Sequence, residues 1–113
     1  MALRYTSSFD QSIGFSDTQF QLNIVADTAL TVTLPGTSND KYILTFGCSS
    51  DSEIYVGYGV TAVLPGSGVA TTNAFIEFVV PGMQRYAIGG TTLSFITHDT
   101  TDYVGVSIRS ITN

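Results

Sequence analysis

The chain has 113 residues, enough for one domain with a single core and too few for two. Its net charge is −5, and Arg4, Lys41, Arg85 and Arg109 stand singly, which excludes a nucleic-acid binder that must displace counterions from phosphates with clustered cations. Only 12% of the residues are charged while 43% are hydrophobic, and the mean hydropathy is +0.26, yet no run approaches the roughly 20 apolar residues of a bilayer-spanning helix. A domain this small hides only about two-thirds of the surface its chain exposes, so the apolar surplus predicts that other subunits cover part of it.

The start, MALRYTSS, lacks the basic segment and apolar core of a secretory signal, and synthesis in a cytoplasm is expected. Residues 1–19 are polar, without a strand period, and read as an N-terminal arm in which Phe9, Ile13 and Phe15 are isolated apolar anchors. From residue 20 to 113 period 2 dominates and a helical stripe is absent. The predicted strands are FQLNIV (20–25), ALTVTLP with Leu30, Val32 and Leu34 inward, and KYILTFGC with Tyr42, Leu44, Phe46 and Cys48 inward. EIYVGYGV follows with Ile54, Val56, Tyr58 and Val60 inward, and then AFIEFVV (74–80), QRYAI (84–88), TLSFIT (92–97) and YVGVSIRSI (103–111). Eight strands at this spacing, broken by Pro-Gly and Gly-Gly pairs, predict a single antiparallel β-sandwich of jelly-roll type.

Two connections invite a local pairing. Ser49 to Glu53 would join the third and fourth strands as neighbours, setting Cys48 against Ile54 and Phe46 against Val56. Gly89-Gly90 would make a tight hairpin, with Tyr86 facing Leu93, Gln84 facing Phe95, and Arg85 on the outer face. In AFIEFVV, Phe75, Val79 and Val80 read as buried on both faces, and Glu77 interrupts the run. A carboxylate there must face water or find a partner. It either pairs with Arg85 within the chain, or both face a neighbouring subunit.

Chemistry-bearing clusters are few. His98, Asp99 and Asp102 lie in HDTTD between two strands, and a plain loop is the stronger reading than a metal site, since no second His or Cys stands near. No GxSxG nucleophile motif is present to use His98 as a base, so no catalytic residue is expected. Cys48 has no basic neighbour in sequence and reads as a small buried hydrophobe. GYGVTAVLPGSG has neither the Lys nor the following helix of a phosphate loop, so no cofactor is expected there. Asp51, Glu53, Tyr55 and Tyr58 could make a sugar or calcium site only if the two tyrosines shared a face.

The stretch VVPGMQRYAIGGTTLSFITHDTTDYVGVSI resembles the C-terminal half of small virion proteins of tailed bacteriophages, particularly capsid decoration (cement) proteins, over roughly residues 75–111. The resemblance implies a non-enzymatic structural protein, a homotrimer on the outer capsid surface that bridges major capsid protein subunits, with no nucleic-acid or membrane partner. It also implies a short arm that helps anchor it, a role open to residues 2–20. On these terms Phe9, Ile13, Phe15, Glu77 and Arg85 are the candidate interface residues. The alternative is a tail or head fibre module that binds a host-surface receptor or glycan, because such modules share the β-rich, Ser/Thr/Gly-rich composition.

Overall fold

Among the described residues eight strands form, each within or overlapping one of the predicted runs. In a computed structural model describing residues 18–65 and 75–111, they are β1 (Thr18–Val25), β2 (Leu30–Thr33), β3 (Lys41–Cys48), β4 (Ile54–Tyr58), β5 (Ile76–Phe78), β6 (Gln84–Ile88), β7 (Thr92–Thr97) and β8 (Thr101–Ser110). No helix occurs among the described residues. Phe9, Ile13 and Phe15 lie outside them, and β1 takes in the last two residues of the expected arm, Thr18 and Gln19.

Two four-stranded antiparallel sheets result, sheet A in the order β1-β8-β3-β6 and sheet B in the order β2-β7-β4-β5. The pairs β1·β8, β2·β7, β3·β6 and β4·β5 are those of one long antiparallel ribbon folded on itself. Alternate pairs of that ribbon fall into opposite sheets, joined sideways through β3·β8 and β4·β7. This is the jelly-roll wrap. Its inner faces meet in a core of Leu44, Phe46, Val106 and Ile108 from sheet A and Ile54, Val56, Leu93 and Phe95 from sheet B. Phe46 packs edge-on against Phe95 at 6.1 Å and Tyr58 at 6.4 Å, so the aromatic centre ties both layers.

The wrap overturns both local pairings. β3 and β4 lie in opposite sheets, so Phe46 and Val56 meet across the core instead of along a ladder. Gly89-Gly90 likewise carries the chain from sheet A to sheet B, and Tyr86 pairs with Ile43 while Leu93 pairs with Val32 and Tyr58. Tyr86 and Ile88 are therefore outside, and Arg85, paired with Leu44, is on the inner side of the sheet. Each glycine of the pair has its own reason. Gly90 has φ +84°, and a Cβ on Gly89 would lie 2.4 Å from the Thr37 carbonyl and 2.6 Å from that of Pro35.

The fifth strand also differs from expectation. Only Val79 of its flanking apolar residues is buried; Phe75 and Val80 are exposed. Residues 59–65 lie instead over the outer face of sheet B, where the Ala62 amide donates to the Ser94 hydroxyl at 2.9 Å and buries it. Gly57 leaves room for that cover, since a Cβ there would meet the Val60 carbonyl at 2.6 Å.

Candidate functional site

β5 and β6 are the open edges of sheets B and A, one above the other at the same side of the sandwich. Glu77 shares the inner face with its partner Val56, and Arg85 with Leu44, so both charges stand at the mouth of the core. They close it. Arg85 Nε and Nη2 donate to the two Glu77 oxygens, each at 2.7 Å, and the Tyr58 hydroxyl donates to Glu77 Oε2 at 2.6 Å. A third Arg85 nitrogen reaches the Gln84 carbonyl at 2.6 Å. The Arg85 hydrogen bonds hold the Glu77 carboxyl below the usual range, and burial followed by the Glu77 hydrogen bond pushes the Tyr58 phenol well up. The cluster is a saturated inter-sheet clasp, with every carboxylate oxygen occupied by a donor.

Outside the clasp the same edge is apolar. Tyr86 is 82% and Phe75 70% exposed, and Ile88, Phe78 and Val80 each show close to half or more of their surface. The Tyr55 ring meets Phe78 edge-on at 5.3 Å, extending the apolar band onto the outer face of sheet B. Among the described residues no strand pairs with the outer backbone edge of either β5 or β6. Exposed edges of this kind are pairing surfaces that soluble monomers normally blunt with charge or proline.

The HDTTD loop folds without gathering a metal site. His98 turns out toward Asp27 at 3.5 Å, while Asp99 accepts the Glu53 amide of the β3–β4 connection at 2.9 Å. Asp102 is buried against Thr97 and Ser52. Burial, then the adjacent Asp99 carboxylate, raises the Asp102 carboxyl, while hydrogen bonds, from Asp102 first, lower that of Asp99. Thr97 Oγ1 sits 2.7 Å from the Glu53 carbonyl and 2.6 Å from Asp102 Oδ2 and accepts the Asp99 amide at 3.0 Å, so it ties the loop to the β3–β4 connection. Among the described residues no group of three or more His, Cys, Asp or Glu is arranged to hold a metal ion. Cys48 is half-buried, and burial followed by the Asp102 charge raises its thiol, the opposite of an activated nucleophile. Tyr55 and Tyr58 point to opposite faces, so the sugar or calcium arrangement with Asp51 and Glu53 does not assemble.

Sequence reasoning missed the outer face of sheet A. Directly opposed residues form rows across it: Asn23 with Tyr103, Gln21 with Gly105 with Gly47, and Gln19 with Ser107 with Thr45. The middle row has no side chain over two strands, and a groove of about 550 Å³ opens there, with Tyr103 as its wall. A mid-strand Gly costs roughly 0.5–1 kcal/mol relative to Ala. Neither glycine has a positive φ; a Cβ on Gly47 would meet nothing within 4 Å, and one on Gly105 only ordinary contacts at 3.9 Å. The glycines of FGC, near the end of β3, and VGV, in the middle of β8, were the sequence signal. Comparison of the chain with family models, curated proteins and solved structures found no match.

Proposed function

We propose that this chain is a non-enzymatic structural subunit of a tailed-phage virion, a homotrimer that decorates the outer capsid surface and bridges major capsid protein subunits. The observation that carries the reading is the β5–β6 edge: two open strand edges, braced by the Glu77–Arg85–Tyr58 clasp and faced with exposed Phe75, Phe78, Val80, Tyr86 and Ile88. A rigid apolar edge on a 12.0 kDa domain is what a permanent subunit contact requires. The sequence resemblance over residues 75–111 covers the same edge and supplies the capsid context. In a cyclic trimer the contact is heterologous, so this edge meets a different surface of the next copy, and Arg85 and Glu77 stand at its rim.

The test is co-sedimentation of the purified chain with empty shells of the major capsid protein encoded in the same genome. Saturable binding at one trimer per fixed lattice position supports the reading. Chain that stays in the supernatant at every concentration refutes it.

A further inference from the structure

We propose that the groove over Gly47 and Gly105, on the outer face of sheet A, is a binding site for a neutral saccharide. The inference goes beyond the decoration reading and does not rest on it.

Two unexplained glycines begin the case. They are directly opposed, Gly105 in the middle of β8 and Gly47 one residue before the end of β3, with ordinary backbone angles and open space where a side chain would go. The fold gains nothing from them, and a glycine in a strand interior marks a place where something outside the strand comes close. What surrounds the gap defines that ligand. Tyr103, 69% exposed, presents a ring face and a hydroxyl tip, able to pack on the C–H face of a sugar while bonding its hydroxyls. Gln19, Gln21 and Asn23 line the opposite strand with side-chain amides, each offering a donor and an acceptor, which matches hydroxyl groups that are both. Among the described residues no charged side chain lines the groove, and the chain as a whole is acidic, which disfavours an anionic sugar. The volume of about 550 Å³ lies within the range of small-ligand clefts, roughly 300–1,000 Å³. On β1, Gln19 to Asn23 spans about 13 Å at the usual rise, so the trough is longer than a single ring.

The experiment is a titration of the full isotopically labelled chain, followed by amide chemical shifts, with maltotriose, cellotriose, mannotriose and triacetylchitotriose, and with sialyllactose as the acidic comparator. At least one neutral trisaccharide is expected to give saturable shifts centred on Gln21, Asn23, Gly47, Tyr103 and Gly105. Tyr103→Ala should weaken that binding by about tenfold or more. Gly47→Val should abolish it while the melting temperature holds or rises, because a β-branched residue suits an open strand position. The proposal is overturned if none of the four neutral sugars gives saturable shifts, if sialyllactose alone binds, or if neither variant changes the titration. It is equally overturned if Gly47→Val lowers the melting temperature by several degrees, since the glycine then serves the fold. Concentration-dependent broadening of these amides without sugar would assign the face to a contact between copies and would also overturn it.

Discussion

Replacing Gly89 and Gly90 one at a time by alanine separates two kinds of backbone constraint within a single turn. At Gly90 the obstacle is conformational: φ is +84°, yet an added Cβ would have nothing within 4 Å. The left-handed region costs an L-residue roughly 1–2 kcal/mol, and Gly90→Ala should lose about that much. At Gly89 the obstacle is steric, because the Cβ would lie 2.4, 2.6 and 2.8 Å from backbone atoms of Thr37, Pro35 and Gly36. Those atoms cannot rotate away as a side-chain tip would. They are held by the Tyr42 hydroxyl on the Pro35 carbonyl, by Asp40 on the Thr37 amide, and by the Gly89 amide on the Asp40 carbonyl. Gly89→Ala must displace this turn and the sheet-to-sheet crossover together, a loss of about 3 kcal/mol or more. Urea unfolding followed by circular dichroism reads both values, and a slope of about 2 kcal/mol/M turns 3 kcal/mol into a midpoint shift of about 1.5 M. A Gly89→Ala variant as stable as wild type, or less affected than Gly90→Ala, would refute the close packing of the two turns.

Arg85→Ala should cost about 1 kcal/mol, because the pair is bidentate but its side chains are 43% and 32% exposed and screened by solvent. Glu77 is held below its ordinary range by Arg85, so that stabilisation is present above the ordinary Glu value and fades as pH falls through the lowered one. The deficit of Arg85→Ala in thermal melts should therefore shrink in acid; a deficit independent of pH would contradict the clasp. Tyr58→Phe should cost about 1–2 kcal/mol by removing a hydrogen bond to a carboxylate, and a double-mutant cycle with Arg85→Ala should show coupling. Asp102 has the opposite sign: its raised carboxyl favours the fold most when protonated, and that advantage is lost as pH rises through its folded value. Asp102→Asn should melt at or above wild type at neutral pH and match it in acid, and a large loss at neutral pH would contradict the raised carboxyl. Deleting residues 2–17, which precede β1, should leave the circular dichroism and melt of the sandwich intact while weakening shell binding; loss of folding would place the arm in the core.

The strands were legible because nearly all carry a period-2 record, with β5 marked by a short apolar run instead, and burial of Tyr42, Leu44 and Phe46 follows that record residue by residue. Their pairing was not. In this wrap only β4 and β5 are both consecutive and hydrogen-bonded, and every other ladder joins strands far apart in sequence. A Gly-Gly pair reads locally as a hairpin, and Thr91 does close a turn onto the Ile88 carbonyl, but the turn leads to the other sheet. That one difference moved Tyr86 and Ile88 to the surface and Arg85 to the mouth of the core. Glu77 was legible as a charge in need of a partner, and Arg85 as one possible partner; Tyr58, on a strand expected to be wholly apolar inside, was not. The groove on sheet A escaped because a missing side chain matters only once the row across three strands is known.

The functional reading depends on another subunit covering the β5–β6 edge, and multi-angle light scattering of the full chain beside a Tyr86→Glu, Ile88→Glu double variant measures this most directly. Both residues are exposed, so the variant should keep the wild-type melt, and a carboxylate buried in a subunit contact without a partner is strongly unfavourable. Wild type is expected at three times the 12.0 kDa chain mass and the variant at one. A wild type that runs as a single chain at every concentration, or a variant that retains the wild-type mass, would contradict the account.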